Sequence, residues 1–179
     1  MAIFTGDRPV VQLGDEFGEF SHHTLAHGIN FFQALYAKDH NAKYNHTGII
    51  INANGDTTEA LWTIGPDSLW NPNRIGHRII IVRYTGCSLE VKQKELANLI
   101  AYHKGQWYPW WRMFMHIVPP LAKISLFKRP VCSEYTARYE HFIGAGDSHW
   151  AGKRPDTLVD SWNQRSGDDY QIIYEGKAI

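Results

Sequence analysis

The run "HTGIII" is followed at once by "NANGD" and then by "TTEALW". β-branched residues lose side-chain freedom in a helix and pack well on a pleated surface, so the first run predicts a strand. Asn and Gly tolerate the backbone that a tight reversal needs, so the chain is expected to turn there and return as a second strand. The result is a hairpin in which one strand opens with His46 and the other carries Glu59, and the rest of the chain must pack around it. "VVQLGDEF" predicts a short strand or turn before it. "RIIIVRY" is a further apolar run of strand length, and "DDYQIIYEG" a last one near the end.

Three other segments have helical spacing. "SHHTLAHGINFFQALYAKD" sets Leu25, Ile29, Phe32, Leu35 and Tyr36 along one side, with Ser21 placed to cap it. "SLEVKQKELANLIAYHKG" closes on Gly105, and "CSEYTARYEHFIGAG" ends on its glycines. The stretch from Trp107 to Phe127 is aromatic-rich and broken by prolines, which predicts irregular structure. No repeat or linker divides the 179 residues, a length that can bury a core without disulfide or metal staples. The expectation is a single α+β domain over residues 1–179, with an aromatic-rich insert around 107–127.

Charge and cysteine usage narrow the function. Lys plus Arg and Asp plus Glu number 18 each, so no overall positive field would collect phosphates, and a nucleic-acid partner is not expected. The most apolar stretch is interrupted by Arg112, His116, Pro119, Pro120 and Lys123, which leaves no membrane-spanning run. The N-terminal residues lack the basic start and apolar run of a secretion signal, so a reducing cytoplasm is the expected location. Two cysteines, Cys87 and Cys132, make no disulfide framework, and Cys132 is expected to be a free thiol.

Cys132 follows Pro130 and opens a helical segment. The unpaired amides and dipole at a helix N-terminus favour a thiolate. His46, at a strand end, is the candidate base. Glu59, across the hairpin, is placed to hold the imidazole in one tautomer and to stabilise its protonated form. Against this stands the structural alternative, in which Cys132 is a small hydrophobe in a core.

The order of these residues also carries a resemblance. A "GD" near the start, the strand "HTGIIINANG", "EA" within "TTEAL", a helix reaching "KGQWY", and "CSE" at the head of a helix succeed one another over about Gly14 to Asp160. The chain resembles the circularly permuted papain-like cysteine hydrolases of the YiiX-type branch, related to the NlpC superfamily and more distantly to lecithin retinol acyltransferase. In that branch the histidine precedes the cysteine, as here. The resemblance implies a small antiparallel sheet or half-barrel packed against helices, with Cys132 as nucleophile, His46 as base and Glu59 as the third polar residue. It places substrate-side residues at Gly105 and Tyr108, and it implies no cofactor. A bacterial or bacteriophage source would fit the branch. Val131 stands where the family often has an aromatic residue.

The implied reaction is hydrolysis of an amide or ester through a covalent acyl-enzyme, on a peptide, a peptidoglycan fragment or a lipid-like substrate. Two alternatives stay open. One is an acyltransferase using the same three residues, and the other an inactive papain-like module that binds a peptide or lipid. The aromatic stretch is either a lid over the core or, through Trp110 and Trp111, an apolar wall of the acyl site, where peripheral lipid contact is also open. His23 and His27 stand on one helix face but lack a third ligand, so no metal site is expected. "NHT" at Asn45 has the form of a glycosylation acceptor that would crowd His46, and Cys87 reads as packing at a strand end.

Overall fold

The computed structural model describes residues 8–21, 43–60, 64–107 and 130–178. Strand β1 (Glu16–Phe20) starts later than "VVQLGDEF" predicts and shares only Glu16 and Phe17 with it, whereas the β-branched and apolar runs form β2 (His46–Ile50), β3 (Asp56–Ala60), β5 (Arg78–Tyr84) and β6 (Tyr170–Lys177) as expected. A further strand, β4 (Ile64–Ser68), falls on "IGPDS", where Gly and Pro argue against a strand in the sequence. Its place explains the exception: the order β4-β3-β2-β1-β5-β6 puts it at the sheet edge, where a residue without an N–H is tolerated. The strand pairings are all antiparallel.

Helix α1 (Leu89–His103) begins at Ser88, whose side chain accepts the N–H of Val91, and helix α2 (Cys132–Phe142) begins as expected at the cysteine. Helix α3 (Pro155–Gln164) is an addition to the sequence reading. Pro155 suits its first turn, and Leu158, Val159 and Trp162 are buried. The segment proposed as a helix from Ser21 onward, with His22, His23 and His27, lies outside the described residues apart from Ser21 itself, as do Tyr108, Trp110, Trp111 and nearly all of the aromatic insert. The described residues form an α+β fold.

Side chains alternate across a sheet, and both faces of this one are covered. On one face Ile49, Ile80 and Val82 pack beneath α2 and α3 with Tyr135, Tyr139 and Trp162. Gly18 makes the close approach possible, since a Cβ there would lie 2.6 Å from the Val159 side chain. On the other face Phe17, Ile50, Ile79 and Ile81 pack with Leu69 and Trp70. This double burial explains why "RIIIVRY" is a continuous apolar run rather than an alternating one.

Helix α2 reads as polar, yet most of it is buried. Most of its buried polar groups have partners, which is what makes that burial tolerable, and the exception is the Tyr139 hydroxyl, which meets none among the described residues. The Thr136 hydroxyl donates to Thr47 Oγ1 at 3.1 Å, and Tyr135 and Thr58 share a hydrogen bond of 3.1 Å. Glu140 accepts from the Trp162 indole at 2.6 Å and from the Tyr170 hydroxyl at 3.0 Å. These bonds fix the helix, and with it Cys132, relative to β2, β3, β6 and α3.

Candidate active site

The hairpin register decides how Glu59 reaches His46. Directly opposite Glu59 is Gly48, and His46 lies two residues further along β2, on the same face. A Cβ at Gly48 would come within 2.6 Å of the Phe17 ring and 2.7 Å of Glu59 Cγ. The missing side chain leaves Glu59 a diagonal path, and its Oε2 lies 2.7 Å from His46 Nε2. The sequence reading placed the pair across the hairpin, and the pairing is the diagonal one.

His46 is the first residue of β2 and is only 12% exposed at its side chain. The Cys132 side chain, at the head of α2, lies close enough to the ring for their charges to interact. Because Nε2 is committed to Glu59, Nδ1 is the nitrogen left for the sulfur. Burial works against a charged ring, but the Cys132 side chain and the Glu59 carboxylate outweigh it and push the His46 pKa up to about 10. Cys132 is 4% exposed, and it and Cys87 are both free cysteines.

The cysteine is held by its neighbours. Glu134 is buried and reaches back to the helix start, where its Oε2 accepts the Val131 N–H at 3.1 Å. Its Oε1 accepts the Gly152 N–H at 2.9 Å, while the Ser133 hydroxyl donates to the Lys153 carbonyl at 2.7 Å. The loop before α3 is thus tied to the first turn of α2. Amides of that turn have no intrahelical acceptor, so the main chain at Cys132 offers a donor to a developing oxyanion.

Behind Glu59 lies a set of charges that the sequence did not reveal. Arg74 closes a short 3-10 turn, Pro72–Arg74, and is buried. Its Nη2 donates to Glu59 Oε1 at 2.5 Å and lies 3.3 Å from Asp67 Oδ2, and Nη1 donates to Glu19 Oε2. His77 Nδ1 meets the other Glu19 oxygen at 2.5 Å. Thr57 donates its hydroxyl to Glu59 Oε1. Burial would raise the Glu59 pKa, but Arg74, followed by His46 and Thr57, lowers it to about 2. A segment such as "NPNRIGH" reads as a solvated turn, so the only sequence signal was an Arg and a His flanking a Gly near a strand start.

Gly105 follows α1 with φ +71 and faces open space, which accounts for a glycine there as a helix terminator. Beside it, buried His103 donates from Nδ1 to Gln106 Oε1 (3.0 Å) and accepts at Nε2 from Arg138 Nη1 (3.0 Å). Burial lowers its pKa. A neutral ring with its proton on Nδ1 satisfies both contacts. Among the described residues no group of three or more His, Cys, Asp or Glu side chains is arranged to hold a metal ion.

Among solved structures, the chain is similar to the crystal structure of metalloprotein YiiX from Escherichia coli. The identity is 17% over 95% of this chain and 88% of that one, with a TM-score of 0.49. No family model and no curated protein matches the sequence.

Proposed function

We propose that the protein is a cysteine hydrolase of the permuted papain-like class, cleaving an amide or ester through a covalent acyl-enzyme. The observation that carries this reading is the His46 ring, bonded to a buried carboxylate and close enough to the Cys132 side chain, at a helix head, for their charges to interact. A thiol placed so has what a nucleophile needs: a base, an orienting acid and main-chain donors. The chain order, histidine strand before cysteine helix, fits the permuted branch and its relation to the NlpC superfamily.

In this mechanism His46 holds the proton of the Cys132 thiol, and the sulfur attacks the substrate carbonyl carbon, forming a C–S bond. The carbonyl oxygen becomes an oxyanion that accepts the Cys132 N–H. Its collapse breaks the C–N or C–O bond, and the His46 imidazolium protonates the departing amine or alcohol. Water then attacks the thioester, giving its proton back to His46, and the C–S bond breaks. Glu59 keeps Nε2–H bound throughout and stabilises the imidazolium. Peptides, peptidoglycan fragments and lipid acyl groups are the substrate classes this chemistry serves, and the reducing cytoplasm is the compartment that suits a free catalytic thiol.

The test is turnover on a panel of peptide, muropeptide and acyl-ester substrates. Cys132→Ala and His46→Ala should each lower kcat by on the order of 10³-fold or more, and the double variant should lose no more than either alone. Glu59→Gln should lose about 10²-fold, since an amide still orients the ring without stabilising its charge. Circular dichroism should show all of them folded. Turnover that survives Cys132→Ala would overturn the reading.

A further inference from the structure

We infer that Arg74 is a positioning residue for the site: gripped between Glu19 and Glu59, it keeps Glu59 ionised and aimed at His46. The inference rests on the reading of Cys132, His46 and Glu59 as one catalytic unit and extends it by one layer.

The geometry assigns each Glu59 oxygen a separate task. Oε2 faces the His46 ring, while Oε1 takes Arg74 Nη2 and the Thr57 hydroxyl. The carboxylate plane is thereby fixed from behind. Arg74 is itself held on several sides. Its Nη1 donates to Glu19, its Nε donates to the Ser68 carbonyl at 3.2 Å, and its guanidinium lies 5.0 Å over the Phe17 ring. The same Phe17 ring meets His46 edge-on at 6.1 Å, so one aromatic side chain spaces the guanidinium from the imidazole.

The charges around Glu59 come from every neighbouring strand. β2 supplies His46, β1 Glu19, β4 Asp67 and the 3-10 turn Arg74. His77 lies behind Glu19, and Cys132 faces His46 from α2. Three carboxylates, Glu19, Glu59 and Asp67, converge on one guanidinium. Buried carboxylates this close stay ionised only with a shared cation between them. Without Arg74, Glu19 and Glu59 would face one another, and Glu59 would take up a proton far more readily. A protonated Glu59 no longer stabilises the His46 imidazolium. A lysine would keep the charge but lose the fork that spans two carboxylates.

The experiment uses the full chain with Cys87→Ser, so that Cys132 is the single thiol. Its alkylation by iodoacetamide is followed against pH in Arg74→Met, in Glu59→Gln and in the double variant. Arg74→Met should slow alkylation about tenfold near pH 5 and about threefold or less near pH 8, because the acid limb moves up with Glu59 protonation. In the Glu59→Gln background the same change should alter the rate by less than about twofold, since a residue acting through Glu59 has nothing left to act on. A parallel carbon NMR titration of the Glu59 carboxyl, assigned by its loss in Glu59→Gln, should show its midpoint rising in Arg74→Met.

Should Arg74→Met not fold, Arg74→Lys is read in the same way. It should slow alkylation near pH 5 by about threefold in the parent and not at all in Glu59→Gln. Equal losses in both backgrounds, or no loss in either, overturn the inference. The carboxyl titration reads Glu59 without turnover, so it tests Arg74 even where the parent protein proves inactive on every substrate.

Discussion

A histidine as buried as His46 would ordinarily shed its proton, because burial penalises the charged ring. Here Cys132 and Glu59 reverse the outcome and bring the ring pKa to about 10, while Glu59 itself is lowered to about 2, chiefly by Arg74 against the opposing effect of burial. The signs define a stability window. Glu59 contributes stability fully above its ordinary value of 4.5 and loses it as pH falls towards about 2. His46 contributes fully below its ordinary value of 6.5 and loses it as pH rises through about 10. Between 4.5 and 6.5 both are at full strength. Glu59→Gln should therefore flatten the acid limb of thermal stability, and unfolding temperatures that fall just as steeply between about pH 4 and pH 2 would contradict the assignment. The positions of Cys132, His46 and Glu59 were legible in the sequence because residue type and local pattern coincide: a cysteine opening a helix, a histidine opening a strand, an acid across a turn. Arg74, Glu19 and Glu134 were not, because their roles come from burial and long-range pairing that no local pattern encodes.

At the scale of elements, the strands were legible wherever apolar runs were long, and two elements escaped for physical reasons. β4 carries Gly65 and Pro66 and relies on its edge position, and α3 is short with its apolar residues spread along "PDTLVDSW". The polar helix α2 was legible as a helix but not as the most buried one, since its burial depends on partners from other elements. One of those contacts is unusual. Glu16 on β1 and Glu140 on α2 are both buried, and among the described residues no N–H or O–H donor meets either Glu16 oxygen. The two acids lie close enough for their charges to interact. Burial and then Glu140 hold the Glu16 pKa well above the ordinary range, against the pull of Lys92, with Asp15 adding to the rise. Burial raises Glu140 as well. An acid raised on folding gives stability that is complete below the ordinary value of 4.5 and is lost as pH rises through the raised one. Glu16→Gln, which keeps shape and a donor without the charge, should raise the unfolding temperature by about 4 °C near pH 8 and change it little near pH 4. Calorimetry at the two pH values checks this. A lowered temperature at both would mean that the acid pair is not the liability described.

For the molecule as a whole, the sheet separates two cores, and the site lies where the two faces meet at one end of β2. Glu59, Arg74 and Glu19 belong to the face away from the helices, and Cys132 to the helix side. His46 is the link between them. Among the described residues no helix is long and apolar enough to cross a membrane. The α+β class followed from the mixture of strand and helix patterns, but the convergence of three elements on one ring depends on register, and register is set by Gly48 and the turn rather than by hydrophobic pattern alone. Titration of the His46 ring by NMR reads that convergence. The ring should titrate at about 10 in the unmodified protein. Its midpoint should move down, towards the ordinary 6.5, in Cys132→Ala and again when Glu59→Gln is added. A ring that titrates near 6.5 from the start, indifferent to the loss of Cys132, would mean that the thiol and the imidazole do not form a pair.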